Sequence, residues 1–311
     1  MIVIACPGQG SQTPGFLNPW LVDDESRTLL ERYSEASEVD LVRHGTISDA
    51  ETIRDTALAQ PLIVAASLLA LRALRAAAPE AVFGGIAGHS VGEAAAAAGA
   101  GILSEDDALR FVRARALLMA EAAAAAPTGM SAVLGGDPDA VIAHVESFGL
   151  EPANFNGGGQ IVVGGALDAL ARLAENPLRG TRVVPLQVAG AFHSHYMQPA
   201  RDGLETAAKD FTANDPTLRV WSNRDGSIVD SGAHFVELMV GQVASPVRWD
   251  LCMASFADAG ITGLIELTPG GALTGLAKRG LKGVPAVAIK TPEDISAAVE
   301  LLTAQTAESE A

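Results

Sequence analysis

Only two cysteines, Cys6 and Cys252, occur in 311 residues. That excludes a disulfide scaffold and a cysteine-based zinc ribbon, and both thiols read as small apolar residues in a reducing compartment. Basic side chains are also scarce: 21 Lys+Arg stand against 37 Asp+Glu, a formal net charge of −16. A chain this acidic does not bind nucleic acid or an anionic membrane non-specifically, so neither partner is expected. No apolar stretch reaches the ~18 residues of a membrane span without a charge. The best, from Leu62 to Ala78, carries Arg72 and Arg75. The apolar start Ile2–Ala5 has no basic segment before it and is cut short by Pro7, so it does not read as a signal peptide. Internal repeats and low-complexity linkers are missing too. These absences leave a soluble, cytoplasmic protein as the reading.

What is present is core. Apolar residues make up 49% of the chain and charged residues 19%, too apolar a balance for disorder. A chain of this length buries roughly 75% of the surface its unfolded form exposes. At ~150 residues per domain it should form two domains, or one large domain with an insertion.

Strand and helix patterns alternate along most of the sequence, which predicts an α/β fold with a mainly parallel sheet. Ile2–Ala5 reads as a strand running into a Gly/Pro loop, Pro7 to Gly15. Pro61–Ala78 reads as a long helix with proline in its first turn. Val82–Ala87 reads as a strand, Val91–Gly99 as a helix, and Ser104–Ala126 as a helix capped by Ser104. Residues 130–187 follow the order βαββαβ, the ferredoxin-like unit. Pro127-Thr128-Gly129 and Ala189-Gly190 bound that stretch. The expected organisation is therefore a large domain of residues 1–127 and 192–311, interrupted by a small inserted domain at 128–191. The acidic tail after Thr303 is expected to fray.

The sharpest motif is Gly88-His89-Ser90-Val91-Gly92, a G-x-S-x-G sequence between an apolar strand and an alanine-rich helix. That context holds a serine nucleophile on a strained turn above the sheet. The Val91 N–H then sits at a helix N-terminus, where a developing oxyanion is stabilised. The bland alternative is a strand–helix turn with a capping serine. A second oxyanion donor is expected from the loop Gly8-Gln9-Gly10-Ser11-Gln12, which follows the first strand and lacks the lysine of a phosphate loop.

A serine nucleophile needs a base. Of six histidines, His44 and His144 lie on polar stretches, and His89 adjoins the serine and supports the turn. His193 and His195 follow a strand end, where α/β sites form. Spacing alone allows either to be the base.

The sequence resembles the malonyl-CoA:acyl carrier protein transacylase family, in particular its stand-alone bacterial type. The resemblance rests on Pro7-Gly8-Gln9-Gly10-Ser11-Gln12, Ala59-Gln60-Pro61, Gly88-His89-Ser90-Val91-Gly92-Glu93 and Arg115. It continues through Ala153-Asn154-Phe155-Asn156, Phe192-His193-Ser194 with Met197, Gln242 with Pro246-Val247-Arg248-Trp249, and Glu266-Leu267-Thr268-Pro269-Gly270. These span nearly the whole chain. The resemblance implies an α/β-hydrolase-like domain with a ferredoxin-like insert, in agreement with the layout above. It assigns roles by position: Ser90 as the acylated nucleophile, His193 as the base, and the backbone N–H groups of Gln9 and Val91 as the oxyanion hole. Arg115 becomes the partner of the malonyl carboxylate, and the Gln242 carbonyl orients the histidine. A guanidinium suits that role because its planar fork grips a carboxylate with two hydrogen bonds.

His89, Asn156 and Phe192 are further pocket candidates. Phe192 before His193 also resembles the malonyl-type sequence of polyketide acyltransferase domains, whose bulky aromatic there implies little room for a 2-methyl group and disfavours methylmalonyl-CoA. Gly157-Gly158-Gly159 replaces a loop that often carries proline, and is expected to loosen the edge of the small domain. The implied substrates are malonyl-CoA and an acyl carrier protein bearing phosphopantetheine. Neither a metal nor a cofactor is expected, and the stand-alone type implies a monomer. Two alternatives are an α/β-type serine esterase or thioesterase, and a non-catalytic carrier-binding homologue. Because substrate and carrier are both anionic, attraction must be local. Lys278, Arg279 and Lys282 are the candidate docking patch.

Overall fold

Ile2–Cys6 (β1) is an unbroken apolar run buried at every position, the pattern of a parallel strand covered on both faces. The computed structural model describes the backbone from Met1 to Ser309 and side chains through Ala304. After β1 the chain forms α1 (Asp24–Ser37), α2 (Leu41–Thr46) and α3 (Thr56–Ala77), then β2 (Gly85–Gly88), α4 (Gly92–Gly99) and α5 (Glu105–Ala124). The middle stretch is β3 (Thr128–Leu134), α6 (Pro138–Glu146), β4 (Glu151–Gly157), β5 (Gln160–Ala166), α7 (Leu167–Glu175) and β6 (Arg182–Pro185). The remainder is α8 (Gln198–Ala207), β7 (Val220–Trp221), α9 (Gly232–Gln242), α10 (Trp249–Asp258), β8 (Gly263–Glu266), α11 (Ala272–Gly280), β9 (Ala286–Ala288) and α12 (Ile295–Ser309).

Two sheets result. The first runs β7-β2-β1-β8-β9 and is parallel throughout. The second runs β4-β5-β3-β6 and is antiparallel. Its order is the one a βαββαβ unit takes when it closes on itself. The expected mainly parallel sheet and ferredoxin-like insert are both present. The sheets meet where Phe155 N–H donates to Val247 O and Val247 N–H donates to Ala153 O, at 2.8 and 2.9 Å. That stitch hangs β4 over the carboxyl ends of β1 and β2.

The helix expected from Pro61 begins five residues earlier, at Thr56, with the Asp55 carboxylate accepting from Ala57 N–H. Pro61 therefore lies inside it. Proline cannot donate to the carbonyl four residues back. Arg113 makes up the deficit by donating to Ala57 O at 3.1 Å. Among the described residues, α3 alone is long and apolar enough to cross a membrane, and most of it is buried inside the protein. It is the core helix beneath the parallel sheet.

No element was expected between Gly15 and Pro61, yet α1 and α2 form there. The signal was available: Asp23 caps Ser26 N–H, acids fill the first turn, and Leu30, Tyr33 and Ser37 make the buried stripe. The stripe is narrow and the helix otherwise polar, so its apolar period is weak. Strand β7 is only two residues long: it pairs with β2 at the sheet edge, and its outer side meets only an isolated antiparallel bridge from Trp221 to Ile228. The tail expected to fray after Thr303 lies mostly outside the residues whose side chains are described.

Gly157, Gly158 and Gly159 have φ of +69°, +56° and +76°. The β4–β5 turn thus uses the left-handed region three times running, which explains why glycine and not proline stands there.

Candidate active site

Ser90 sits between β2 and α4 at φ +53°, a left-handed conformation that costs a serine on the order of 1–3 kcal/mol. Two features hold it there. Any side chain at Gly88 or Gly92 would run into backbone, the Gly92–Glu93 peptide in one case and the Cys6 carbonyl in the other. Asn223 then clamps the turn from the side. Its Oδ1 accepts Ser90 N–H at 2.8 Å and its Nδ2 donates to Gly88 O at 2.7 Å.

His193 faces the serine. It too has a left-handed backbone, φ +60°. Its Nε2 lies 2.7 Å from Ser90 Oγ, and its Nδ1 lies 2.8 Å from the Gln242 carbonyl. A carbonyl can only accept, so Nδ1 carries the proton and Nε2 presents a lone pair to the serine hydroxyl. Burial, reinforced by the nearby Arg115 charge, pushes the His193 pKa down to about 3. The imidazole is therefore neutral and able to act as a base. His195 lies on the surface, where its Nδ1 meets Glu151. The structure separates the two histidines that spacing left equivalent.

The depressed His193 pKa links to stability. A histidine that stays neutral in the fold contributes stability above its unfolded pKa of about 6.5, and this is lost as pH falls toward the folded value. His193→Gln should therefore flatten the acid side of the Tm-versus-pH curve below pH ~6.5 relative to wild type. Parallel acid limbs in the two proteins would refute the linkage.

Arg115 is 2% exposed. The other two arginines of α5 face elsewhere: Arg110 pairs with Asp107 at the surface, and Arg113 serves α3. Arg115 Nη1 donates to Gln60 Oε1 at 2.6 Å. Its Nη2 donates to Gln242 Oε1 at 3.0 Å and lies 3.3 Å from Ser90 Oγ. Burial lowers its pKa to about 10 while Glu93 pulls the other way, so it remains a cation at neutral pH.

A cavity of about 410 Å³ opens above these groups, between the two sheets. Gln9 and Val91 both line it. Among the described residues neither of their backbone N–H groups donates a hydrogen bond, which leaves two amides free for a developing oxyanion. His89 Nε2 pairs with Asn156 Oδ1 at 2.8 Å, and Asn156 donates onward to Gln160 Oε1 at 2.8 Å. This chain ties the serine turn to the antiparallel sheet. Phe192 and Met130 add apolar wall, and Arg279 stands among the lining residues.

All the sequence-derived candidates, Ser90, His193, Gln9, Val91, Arg115, Gln242, His89, Asn156 and Phe192, converge on this place. Three residues there were not singled out from the sequence. Gln60 and Glu93 stood inside quoted motifs without a role, and Asn223 follows a two-residue strand with no motif around it. Among the described residues, no cluster of three or more His, Cys, Asp or Glu is arranged to hold a metal ion.

A strained serine on a parallel sheet, a neutral histidine behind it and two free amides beside it are the apparatus of the serine acyltransferases. The comparisons narrow the class. The family profile described as "Acyl transferase domain" matches residues 3–306, and the chain belongs to that family. It is 49% identical over 299 residues to the malonyl CoA-acyl carrier protein transacylase of Mycobacterium tuberculosis (strain H37Rv), covering 95% of this chain and 98% of that protein. It is 34% identical over 305 residues to the enzyme of the same name from Escherichia coli K12, covering 95% and 97%. A crystal structure of MCAT from Mycobacterium tuberculosis superposes with a TM-score of 0.93 at 48% identity, covering 97% of this chain and 99% of that one. A malonyl-transacylase solved in complex with its type II PKS acyl-carrier protein superposes at 0.91 with 28% identity, covering 96% and 99%.

Proposed function

We propose that this protein is a malonyl-CoA:acyl carrier protein S-malonyltransferase that works through a malonyl ester on Ser90. The observation that carries the reading is Arg115. A buried cation 3.3 Å from the nucleophile oxygen awaits an acyl group whose far end is anionic.

The chemistry follows from the geometry. Ser90 Oγ attacks the thioester carbonyl of malonyl-CoA as His193 Nε2 takes its proton. The oxyanion forms against the Gln9 and Val91 amides. When it collapses, the C–S bond breaks, His193 returns the proton to sulfur, and CoA leaves as a thiol. In the second half the phosphopantetheine thiol of the carrier gives its proton to His193 and attacks the Ser90 ester. Ser90 then recovers its proton as the malonyl thioester leaves. Throughout, the Gln242 carbonyl holds Nδ1–H and accepts no proton, where a hydrolase triad would use a carboxylate. This is why the esterase reading is the weaker one. No metal or redox cofactor enters the steps.

The two-sheet layout supports a division into residues 1–127 with 192–311 as the catalytic domain and 128–191 as an inserted cover. We read the chain as a cytoplasmic monomer supplying malonyl groups to fatty-acid and, by the polyketide likeness, polyketide synthesis.

The exposed Lys278, Arg279 and Lys282 at the end of α11 support a carrier docking patch, since Arg279 also reaches the cavity wall. Against a net charge of −16, an acidic carrier needs such a local field. Reversing Lys278 and Lys282 to glutamate should raise the KM for carrier several-fold at low salt, by roughly 1 kcal/mol of lost attraction, and leave the KM for malonyl-CoA alone. An unchanged carrier KM would discard the patch. The function itself is tested by following malonyl transfer from malonyl-CoA to holo carrier, with release of free malonate without carrier as the outcome favouring an esterase.

A further inference from the structure

Glu93 is 1% exposed and touches neither the cavity nor the serine hydroxyl. A buried carboxylate is expensive unless its oxygens are hydrogen-bonded. Both are: Oε1 accepts Asn223 N–H at 2.6 Å, and Oε2 accepts Gln242 Nε2–H at 2.5 Å. Gln242 is the residue whose backbone carbonyl holds His193 and whose side chain meets Arg115.

The side-chain amide of Gln242 has one accepting and one donating end. Arg115 is donor-only and an ionised carboxylate is acceptor-only. The amide therefore has one orientation that satisfies both, with Oε1 toward Arg115 and Nε2 toward Glu93. In that orientation Nε2 also points to Asn223 Oδ1 and Ser90 O, at 3.2 and 3.3 Å. Burial pushes the Glu93 pKa up to about 8, while the Asn223 amide and the Arg115 charge hold it down, so the ionised, acceptor-only form that this arrangement fits fills as pH rises through about 8. The buried cation–amide–carboxylate line is thus a matched set in which each member fixes the next.

We propose that Glu93 is a positioning residue for acyl selectivity: by fixing the Gln242 amide it holds Arg115 where the substrate carboxylate meets it. This rests on the malonyl-transfer reading above. Glu93→Gln keeps the shape and changes only the donor pattern. Asn223 N–H needs an acceptor, so the oxygen of the new amide stays there and its NH2 group faces Gln242. Gln242 must then turn its own oxygen to that NH2 and present a donor to Arg115, which can only donate. The Arg115–Gln242 bond is lost.

The experiment is steady-state transfer to holo carrier at about pH 9, above the Glu93 pKa of about 8, from malonyl-CoA and from acetyl-CoA, for wild type, Glu93→Gln, Gln242→Met and the double variant. Gln242→Met removes the side-chain amide but leaves the backbone carbonyl that holds His193. Each single variant should lower the ratio of malonyl to acetyl kcat/KM by about tenfold, chiefly through the malonyl KM. The double variant should fall no further, because both act on one line of contacts. Equal losses for both acyl groups would mean that Glu93 only supports the serine turn, and would overturn the proposal. So would multiplying losses in the double variant. If Glu93→Gln does not fold, an unchanged ratio in Gln242→Met overturns it alone. Arg115→Ala is the control. If wild type does not prefer malonyl-CoA, the functional reading has failed. If it does, and only Arg115→Ala loses the preference, this inference alone has failed.

Discussion

Ser90→Ala should abolish malonyl transfer, lowering kcat by several orders of magnitude, on the scale of the ~10⁶ seen when a serine nucleophile acting with its histidine is removed. The reason is that, on the proposed mechanism, the two half-reactions share one covalent intermediate. Without Oγ there is no atom to carry the malonyl group between CoA and carrier, and the free amides of Gln9 and Val91 have no oxyanion to stabilise. The loss should appear first as an absent acyl-enzyme: intact-mass spectrometry after mixing with malonyl-CoA shows a malonyl adduct on wild type and none on the variant. His193→Gln should be nearly as severe, since the proposed mechanism takes the proton out along the Ser90–His193 hydrogen bond of 2.7 Å. The two losses should not add, because the pair acts as a unit. The fold should survive, because the Asn223 clamp on Ser90 uses the backbone N–H and not the hydroxyl. A stable malonyl adduct on folded Ser90→Ala, with transfer intact, would place the nucleophile elsewhere.

Much of this arrangement was legible in the sequence because its signals are local. The serine turn is a five-residue pattern between a strand and a helix, and the two glycines that allow it are fixed by backbone approach. The βαββαβ order of the insert is read from alternation alone, since each element is short and bounded by turns. The limits are equally physical. Spacing could not choose between His193 and His195, because what separates them is burial and a carbonyl 49 residues downstream. Pro61 read as a helix start because its missing N–H is harmless there. The helix instead begins at Thr56, capped by Asp55, and uses Arg113, 56 residues away from Ala57 in sequence, to serve the orphaned carbonyl. Asn223 is the plainest case. Its contacts with Ser90 and Gly88 span more than 130 residues and follow from no pattern near it. What sequence misses is the second layer, where a polar side chain is chosen by partners the fold brings from far away.

Arg115→Ala should cost malonyl-CoA about 10- to 150-fold in kcat/KM and acetyl-CoA much less. The range is that of a charge-assisted hydrogen bond, roughly 1.5–3 kcal/mol, at tenfold per 1.4 kcal/mol. Acetyl-CoA has no free carboxylate, so it loses no contact and gains space beside Ser90. The variant should therefore transfer acetyl groups better relative to malonyl than wild type does. Arg115→Lys should not restore the preference. A lysine supplies the charge at a point, but it cannot hold Gln60 Oε1 and Gln242 Oε1, now at 2.6 and 3.0 Å, and still offer a fork to the substrate. The measurement is the malonyl-to-acetyl ratio of kcat/KM in the three proteins, with thermal unfolding to show that each is folded. Stability gives an independent reading. Arg115 is the buried cation that opposes the upward shift of the Glu93 pKa. With it gone, Glu93 should stay protonated to higher pH, and the alanine variant should lose stability relative to wild type as pH rises through 8. A malonyl preference that survives Arg115→Ala would move the carboxylate contact to another cation, and Arg279 lines the cavity.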